Sequence, residues 1–173
     1  ELQQVPVRVA GDVAQVVDID PDVLINNAGF GVMAPLSHVP LELLKTGFEV
    51  NVFGTICCTL AAWPHMQGRV GASIVNISSS AAHMGGSAYG DSKLAIAGLS
   101  ITFARELSPV RVNAISPGLM LTETIKAELP PETMARVKAM QWLAGDGGPE
   151  HIVDAMLFLT SDKARFITGE VLR

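Results

Sequence analysis

Short runs of β-forming residues alternate with helix-length segments along nearly the whole chain, and this alternation leaves few folds open to it. "DVLINNAG" (22–29), "ASIVNISSS" (72–80) and "VRVNAISPG" (110–118) read as strands, each ending in turn chemistry. "VPVRVAG" (5–11) reads as a further strand, and "TGEVLR" (168–173) starts a last one. Between them, "LELLKTGFEVNVFGTICCTLAAWPHM" (41–66) has helical periodicity, as a short helix followed by a long one. "SAYGDSKLAIAGLSITFARELS" (87–108) is helical, with apolar positions at Leu94, Ala97, Gly98, Ile101 and Leu107. "PPETMARVKAM" (130–140) and "GPEHIVDAMLFLTSD" (148–162) are helical too, the second with Pro149 in its first turn. The strand cores, such as Ile74–Ile77, are continuous apolar runs, as expected where helices cover both faces of a sheet. The fold class is therefore α/β, a doubly wound parallel sheet with helices on both faces.

The 173 residues are 49% hydrophobic and 17% charged, which suits one domain with a single sizeable core. A net charge of −5 without a basic run gives no footprint for nucleic acid. No apolar run reaches the length of a membrane span, and no charged-then-apolar leader opens the chain. Cys57 and Cys58 are adjacent, so they suit neither a disulfide nor a metal spacing, and a reducing, cytoplasmic setting is expected. His38, His65, His83 and His151 are scattered without metal spacing, so no metal is expected. His83 and Met84 follow the serine strand and either line a substrate pocket or form a plain loop. Trp63 and Trp142 are read as packing residues.

Polar residues gather at the C-terminal ends of the strands, the rim where open α/β sheets bind ligands. "NNAG" ends one strand, "SSS" the next and "SPG" the third. Singly, each is also ordinary turn or capping chemistry. Tyr89 is the only tyrosine, and Lys93 lies four residues on, so a helix puts the two on one face. A free phenol titrates near 10, far from the range useful for proton transfer at neutral pH. A neighbouring ammonium favours the phenolate and makes tyrosine a usable acid or base. Alone, Tyr-x-x-x-Lys reads as a helix-surface pair.

The pair is not alone. "NNAG" at Asn26–Gly29, Asn51 in "EVNVFG", "IVNISS" at Ile74–Ser79, "YGDSK" at Tyr89–Lys93 and "RVNAISPG" at Arg111–Gly118 follow in this order. As an ordered set they resemble the short-chain dehydrogenase/reductase family, in particular its 3-oxoacyl-carrier-protein reductase branch. The resemblance implies a Rossmann-like NAD(P)-binding domain and hydride transfer between a nicotinamide cofactor and an alcohol, a ketone or an acyl thioester. It implies Tyr89 as catalytic acid/base and Lys93 as the group that lowers its pKa and binds the nicotinamide ribose. Ser79 would orient the substrate carbonyl, ahead of Ser78, and Asn51 would hold a water linking Lys93 to solvent. Asn27, Ala28 and Gly29 would line the adenosine side of the cofactor cleft, and Asp12 would contact the adenine. Pro117, Gly118 and Thr122 would hold the carboxamide. Leu119–Leu143 would form a lid, with Gly147–Gly148 either its hinge or a plain loop. A homotetramer, or a dimer, is expected through the two long helices, whose small and apolar residues Ala61, Ala62, Ala97, Gly98 and Phe103 suit close packing. The alternative function is a catalytically silent or truncated member acting as a binding or assembly partner.

Several parts of the pattern are absent from these residues. The Gly-rich phosphate loop is not among them, nor is the second strand, whose end selects NAD or NADP. The expectation is one domain over 1–173 that lacks the first two strands and the C-terminal end, as the ordered part of a longer chain. "VPVRVAGD" then corresponds to the third strand in a sheet of order 3-2-1-4-5-6-7. The connection after Asp12 is short for a parallel crossover. The gap from Ser79 to Tyr89 and the link before Val110 are also shorter than usual, which puts the Ser79–Tyr89 contact in question.

Overall fold

The computed structural model describes residues 21–31 and 34–173. The strand expected at 5–11, Asp12 and the connection that follows it lie outside the described residues. The elements are β1 (Val23–Asn26), α1 (Leu41–Phe48), α2 (Gly54–Met66), β2 (Ser73–Ile77), α3 (Ala88–Glu106) and β3 (Arg111–Ile115). They are followed by α4 (Glu123–Glu128), α5 (Pro131–Lys138), α6 (Pro149–Thr160) and β4 (Val171–Leu172). The four strands form one parallel sheet in the order β1-β2-β3-β4. That order is the one expected for the fourth to seventh strands of the family sheet.

Because side chains alternate along a strand, each strand feeds two cores. Leu24, Ile74 and Val112 point to one face and pack with Ala62 and Met66 of α2 and Phe103 and Ala104 of α3. Val75, Ile77 and Ile115 point to the other face and pack on Leu159 of α6. Every residue of β2 and β3 is buried, which accounts for their unbroken apolar character. Burying one such aliphatic side chain is worth about 1.5–3 kcal/mol.

The polar residues inside these strands are all partnered. On the α2/α3 face, Asn26 Nδ2 donates to Thr59 Oγ1 (3.0 Å) and to Asn76 Oδ1 (2.8 Å), and Asn76 Nδ2 donates to Ser100 Oγ (2.9 Å). The ladder ties α2 to α3 through two neighbouring strands. On the α6 face, Arg111 donates to the carbonyl of Leu159 (2.6 Å), in the last turn of α6 where carbonyls lack helical partners, and to that of Ala164 (3.0 Å) in the 3-10 turn that follows. A hydrogen bond to a charged group is worth about 1.5–3 kcal/mol, so Arg111 is a principal anchor of α6.

Both doubtful short links close. Val110 N donates to Leu107 O (3.0 Å) in a tight turn, and Arg111 enters β3 in full register with Ser73. Between β2 and α3, a 3-10 turn at Ser80–His83 is followed by Gly85 and Gly86 at φ +69° and +82°. Glycine adopts this left-handed backbone without a Cβ penalty, and two in succession reverse the chain within a short loop. Ser87 then caps α3, accepting from Gly90 N (3.0 Å).

Candidate active site

The C-terminal ends of β1, β2 and β3 bring together most of the residues singled out in the sequence. Ser78, Ser79 and Ser80 follow β2, and the backbone on both sides of Ser79 joins the next strand end: Ser78 N donates to Ile115 O (2.8 Å) and Ser80 N to Pro117 O (2.8 Å). Ser78 is buried, with its hydroxyl given to Lys93 O (2.7 Å), so its role is to hold α3 against β2. Ser79 caps the 3-10 turn by accepting from Ala81 N (3.2 Å), and its hydroxyl is near enough to the Tyr89 phenol to pull the phenol's pKa down. The short loop therefore brings Tyr89 to Ser79, and the free serine is Ser79 rather than Ser78.

Tyr89 stands on the first turn of α3 and Lys93 one turn below. Lys93 is 2% exposed, and its Nζ donates to Ile77 O (2.8 Å) and lies 5.7 Å from the centre of the Tyr89 ring. Burial lowers the Lys93 pKa to about 8. Burial pushes the Tyr89 phenol up, and the Ser79 hydroxyl is the influence that pulls it back down. The net direction is upward, so burial outweighs the lowering expected from Lys93. The ammonium donates to the Ile77 carbonyl, and the Ser79 hydroxyl favours the phenolate.

Asn51 lies in a five-residue π-helical bulge, Glu49–Phe53, between α1 and α2. Such bulges re-aim a side chain and recur at functional sites. Asn51 is fully buried and uses its whole amide. Oδ1 accepts from Phe30 N (2.8 Å), while Nδ2 donates to Phe30 O (2.7 Å) and Ser92 Oγ (2.8 Å). Its side chain thus fastens the turn after β1. Asn27, Ala28 and Gly29 of that turn are exposed, and Gly29 lies against both Lys93 Nζ and Asn51 Oδ1.

Pro117 and Gly118 leave the end of β3 next to the serine turn, and Thr122 caps α4 by accepting from Ile125 N (3.2 Å). The segment expected as a lid contains α4 and α5. Its ends are pinned together by pairing of Met120 with Gly147 and by Leu121 N to Gly147 O (2.8 Å). Gly147 is therefore paired in a bridge beside this segment.

Sequence reasoning missed three contributors. Gly31 lies flat against the Tyr89 ring. Ser92 sits between the tyrosine and the lysine and bonds Asn51. Ser116, at the end of β3, holds His83 Nε2 (3.3 Å) and so places that exposed imidazole beside the Ser79 turn. Only the strand-end position of Ser116 and the proximity of Gly31 to "NNAG" were visible as signals. Among the described residues no cluster of His, Cys, Asp or Glu could hold a metal ion, and no helix is long and apolar enough to cross a membrane.

A family model described as Enoyl-(Acyl carrier protein) reductase matches residues 8–173. An uncharacterized oxidoreductase of Mycobacterium tuberculosis is 40% identical over 155 residues, covering 87% of this chain and 62% of the relative. A solved short-chain dehydrogenase/reductase family protein superposes with a TM-score of 0.83 at 38% identity, over 92% of this chain and 68% of that one. A 7α-hydroxysteroid dehydrogenase, complexed with NADH and 7-oxo glycochenodeoxycholic acid, superposes with a TM-score of 0.81 at 32% identity, over 87% of this chain and 61% of that one. With a parallel α/β sheet and a Ser-Tyr-Lys cluster at its strand ends, the chain belongs to the short-chain dehydrogenase/reductase family. It spans about 62% of the length of the curated relatives it matches.

Proposed function

We propose that the chain is the catalytic part of an NAD(P)-dependent oxidoreductase that interconverts an alcohol and a carbonyl compound. The observation that carries this reading is the grouping of Tyr89, Ser79 and the buried Lys93 ammonium at the end of β2, with Lys93 Nζ 5.7 Å from the Tyr89 ring centre. A carbonyl oxygen held by Ser79 would receive its proton from Tyr89, and an alcohol would lose it by the same path in reverse. The bound nicotinamide would supply or accept the hydride. Asn51 would keep the "NNAG" turn in place, and its main-chain carbonyl, which accepts from Thr55 Oγ1 (2.8 Å), would hold the water linking Lys93 to solvent. Substrates would be small alcohols and ketones or acyl thioesters, with His83 on the substrate side.

The residues present suit the cofactor. Lys93 offers a buried donor against the exposed turn Asn27–Gly29, and Pro117, Gly118 and Thr122 lead from the opposite strand end into the lid. Asp12 is assigned to the adenine on the family pattern alone. Lys93 is cationic below about pH 8 and neutral above it. Affinity for NADH or NADPH, followed by fluorescence titration, should therefore fall severalfold as the pH rises through about 8, because a charge-assisted hydrogen bond is lost. No saturable binding of either cofactor would overturn the enzyme reading. Affinity that stays flat across that range would remove Lys93 from the cofactor site.

We also assign the outer faces of the two long helices to self-association. Ala62, Ala97 and Phe103 are buried within the chain itself, so the packing account holds for them. The outward stripe consists instead of Leu94, Gly98 and Ile101 on α3, with Phe53 and Leu60 on and before α2. Leu60, Leu94 and Ile101 are each about half exposed, at 49%, 51% and 50%. Ile101→Glu should convert a dimer or tetramer to smaller species in sedimentation, and an unchanged mass would sink the assignment. We place the protein in the cytoplasm on the sequence expectation that the adjacent Cys57 and Cys58 do not pair with each other.

A further inference from the structure

Ser92 occupies the position between the two functional residues of α3, and it is 1% exposed. Its hydroxyl is used twice. It donates to Tyr89 O (2.8 Å), and it accepts from Asn51 Nδ2 (2.8 Å). The second bond crosses from α3 to the π-helical bulge, and through Asn51 it continues to both backbone groups of Phe30. One hydroxyl thus joins the helix turn that carries Tyr89 to the turn after β1 that lies over Lys93.

Ser100 provides an internal comparison. It is another fully buried serine on the same helix, with its hydroxyl donated back to Ile96 O (2.9 Å) and accepting from Asn76 Nδ2 (2.9 Å). Its chemistry matches that of Ser92, but its partners lie lower in the sheet, and it bonds neither Asn51 nor the Tyr89 backbone. Any effect shared by the two serines belongs to packing. An effect confined to Ser92 belongs to the site.

We infer that Ser92 is a positioning residue, which fixes the first turn of α3 against Asn51 so that the Tyr89 hydroxyl stays on Ser79. This rests on the proposed acid/base role of Tyr89 for its kinetic consequence, but not for its structural one. Without the Ser92 hydroxyl, Asn51 Nδ2 loses its tie to α3 and the Tyr89 carbonyl loses a donor. The first-turn N–H groups have no helical partners, so the tie to Asn51 is what holds this turn against the rest of the fold. The Tyr89–Ser79 hydrogen bond should then loosen.

The test compares Ser92→Ala with Ser100→Ala, each removing one buried hydroxyl, using 13Cζ-tyrosine NMR titration with Tyr89 assigned by its loss in Tyr89→Phe. In Ser92→Ala the Tyr89 midpoint should rise by about half a unit, because a hydrogen bond that favours the phenolate is weakened. Turnover should fall about tenfold with KM nearly unchanged, as expected for a misplaced proton donor. Ser100→Ala should match the wild type in both. A Ser92→Ala midpoint equal to that of the wild type, or an equal shift in Ser100→Ala, overturns the inference. If the protein binds no nicotinamide cofactor, the enzyme reading fails separately, and the Tyr89 titration still decides the role of Ser92.

Discussion

Tyr89→Phe should reduce turnover by about 10³-fold while leaving cofactor affinity within about twofold, because a positioned general acid contributes about 10²–10⁴. The size of the loss follows from what the ring does and does not touch. The phenol hydroxyl lies near Ser79, and phenylalanine removes it without vacating the half-buried ring site. Lys93 does not depend on that hydroxyl for its position, since its Nζ is held by Ile77 O at 2.8 Å. Cofactor contacts made by Lys93 should survive. Stability should change by about 1 kcal/mol or less, the net worth of one hydrogen bond. Steady-state kinetics and fluorescence titration check both halves. Turnover within tenfold of the wild type would remove Tyr89 from proton transfer.

The parts of this site that were legible in the sequence are those fixed by local geometry. The i, i+4 spacing of Tyr89 and Lys93 is a property of any helix, and the helix runs Ala88–Glu106 as the periodicity required. The strand ends were marked by turn residues, and the continuous apolar runs correctly placed helices on both faces of the sheet. Contacts across the fold were not legible. The short Ser79–Tyr89 gap looked like a defect because nothing in "HMGGSAY" declares that Gly85 and Gly86 will both turn left-handed. Asn51 was found by its motif, but its bulge was not, because "FEVNVFG" has ordinary helical periodicity and the extra turn residue is accommodated by tertiary packing. The balance of the electrostatics was hidden for a related reason. Spacing places an ammonium near a phenol, but only the fold shows that burial raises the phenol and that the lysine is turned toward a carbonyl. The outward faces of the long helices were blurred likewise, since composition cannot tell which small residues the sheet will cover.

Gly31→Ala should impair turnover almost as severely, although Gly31 is an exposed loop residue with no polar side chain to lose. A Cβ built on Gly31 falls on the Tyr89 ring, with Cγ at 2.7 Å and the Tyr89 Cβ at 2.9 Å. Atoms cannot remain that close, and neither the backbone preceding Gly31 nor the helix carrying the ring has much room to yield. The preceding Phe30 is tied through both its N–H and its carbonyl to Asn51, at 2.8 and 2.7 Å. On the other side the ring is part of α3, whose first turn is held by Ser92 and by the Ser87 cap. The ring must therefore tilt away from the loop, carrying its hydroxyl off Ser79. Displacement of a reacting group by about 1 Å costs on the order of 10²-fold in rate, so kcat should fall by about that factor. The Tyr89 titration midpoint should rise with it, since the Ser79 hydrogen bond that pulls the phenol down is broken. Thermal stability should move little, because the strain is confined to a surface turn. A variant with kcat within about threefold of the wild type and an unshifted Tyr89 midpoint would show that the ring is free to adjust, and that the catalytic geometry does not depend on a bare backbone at position 31.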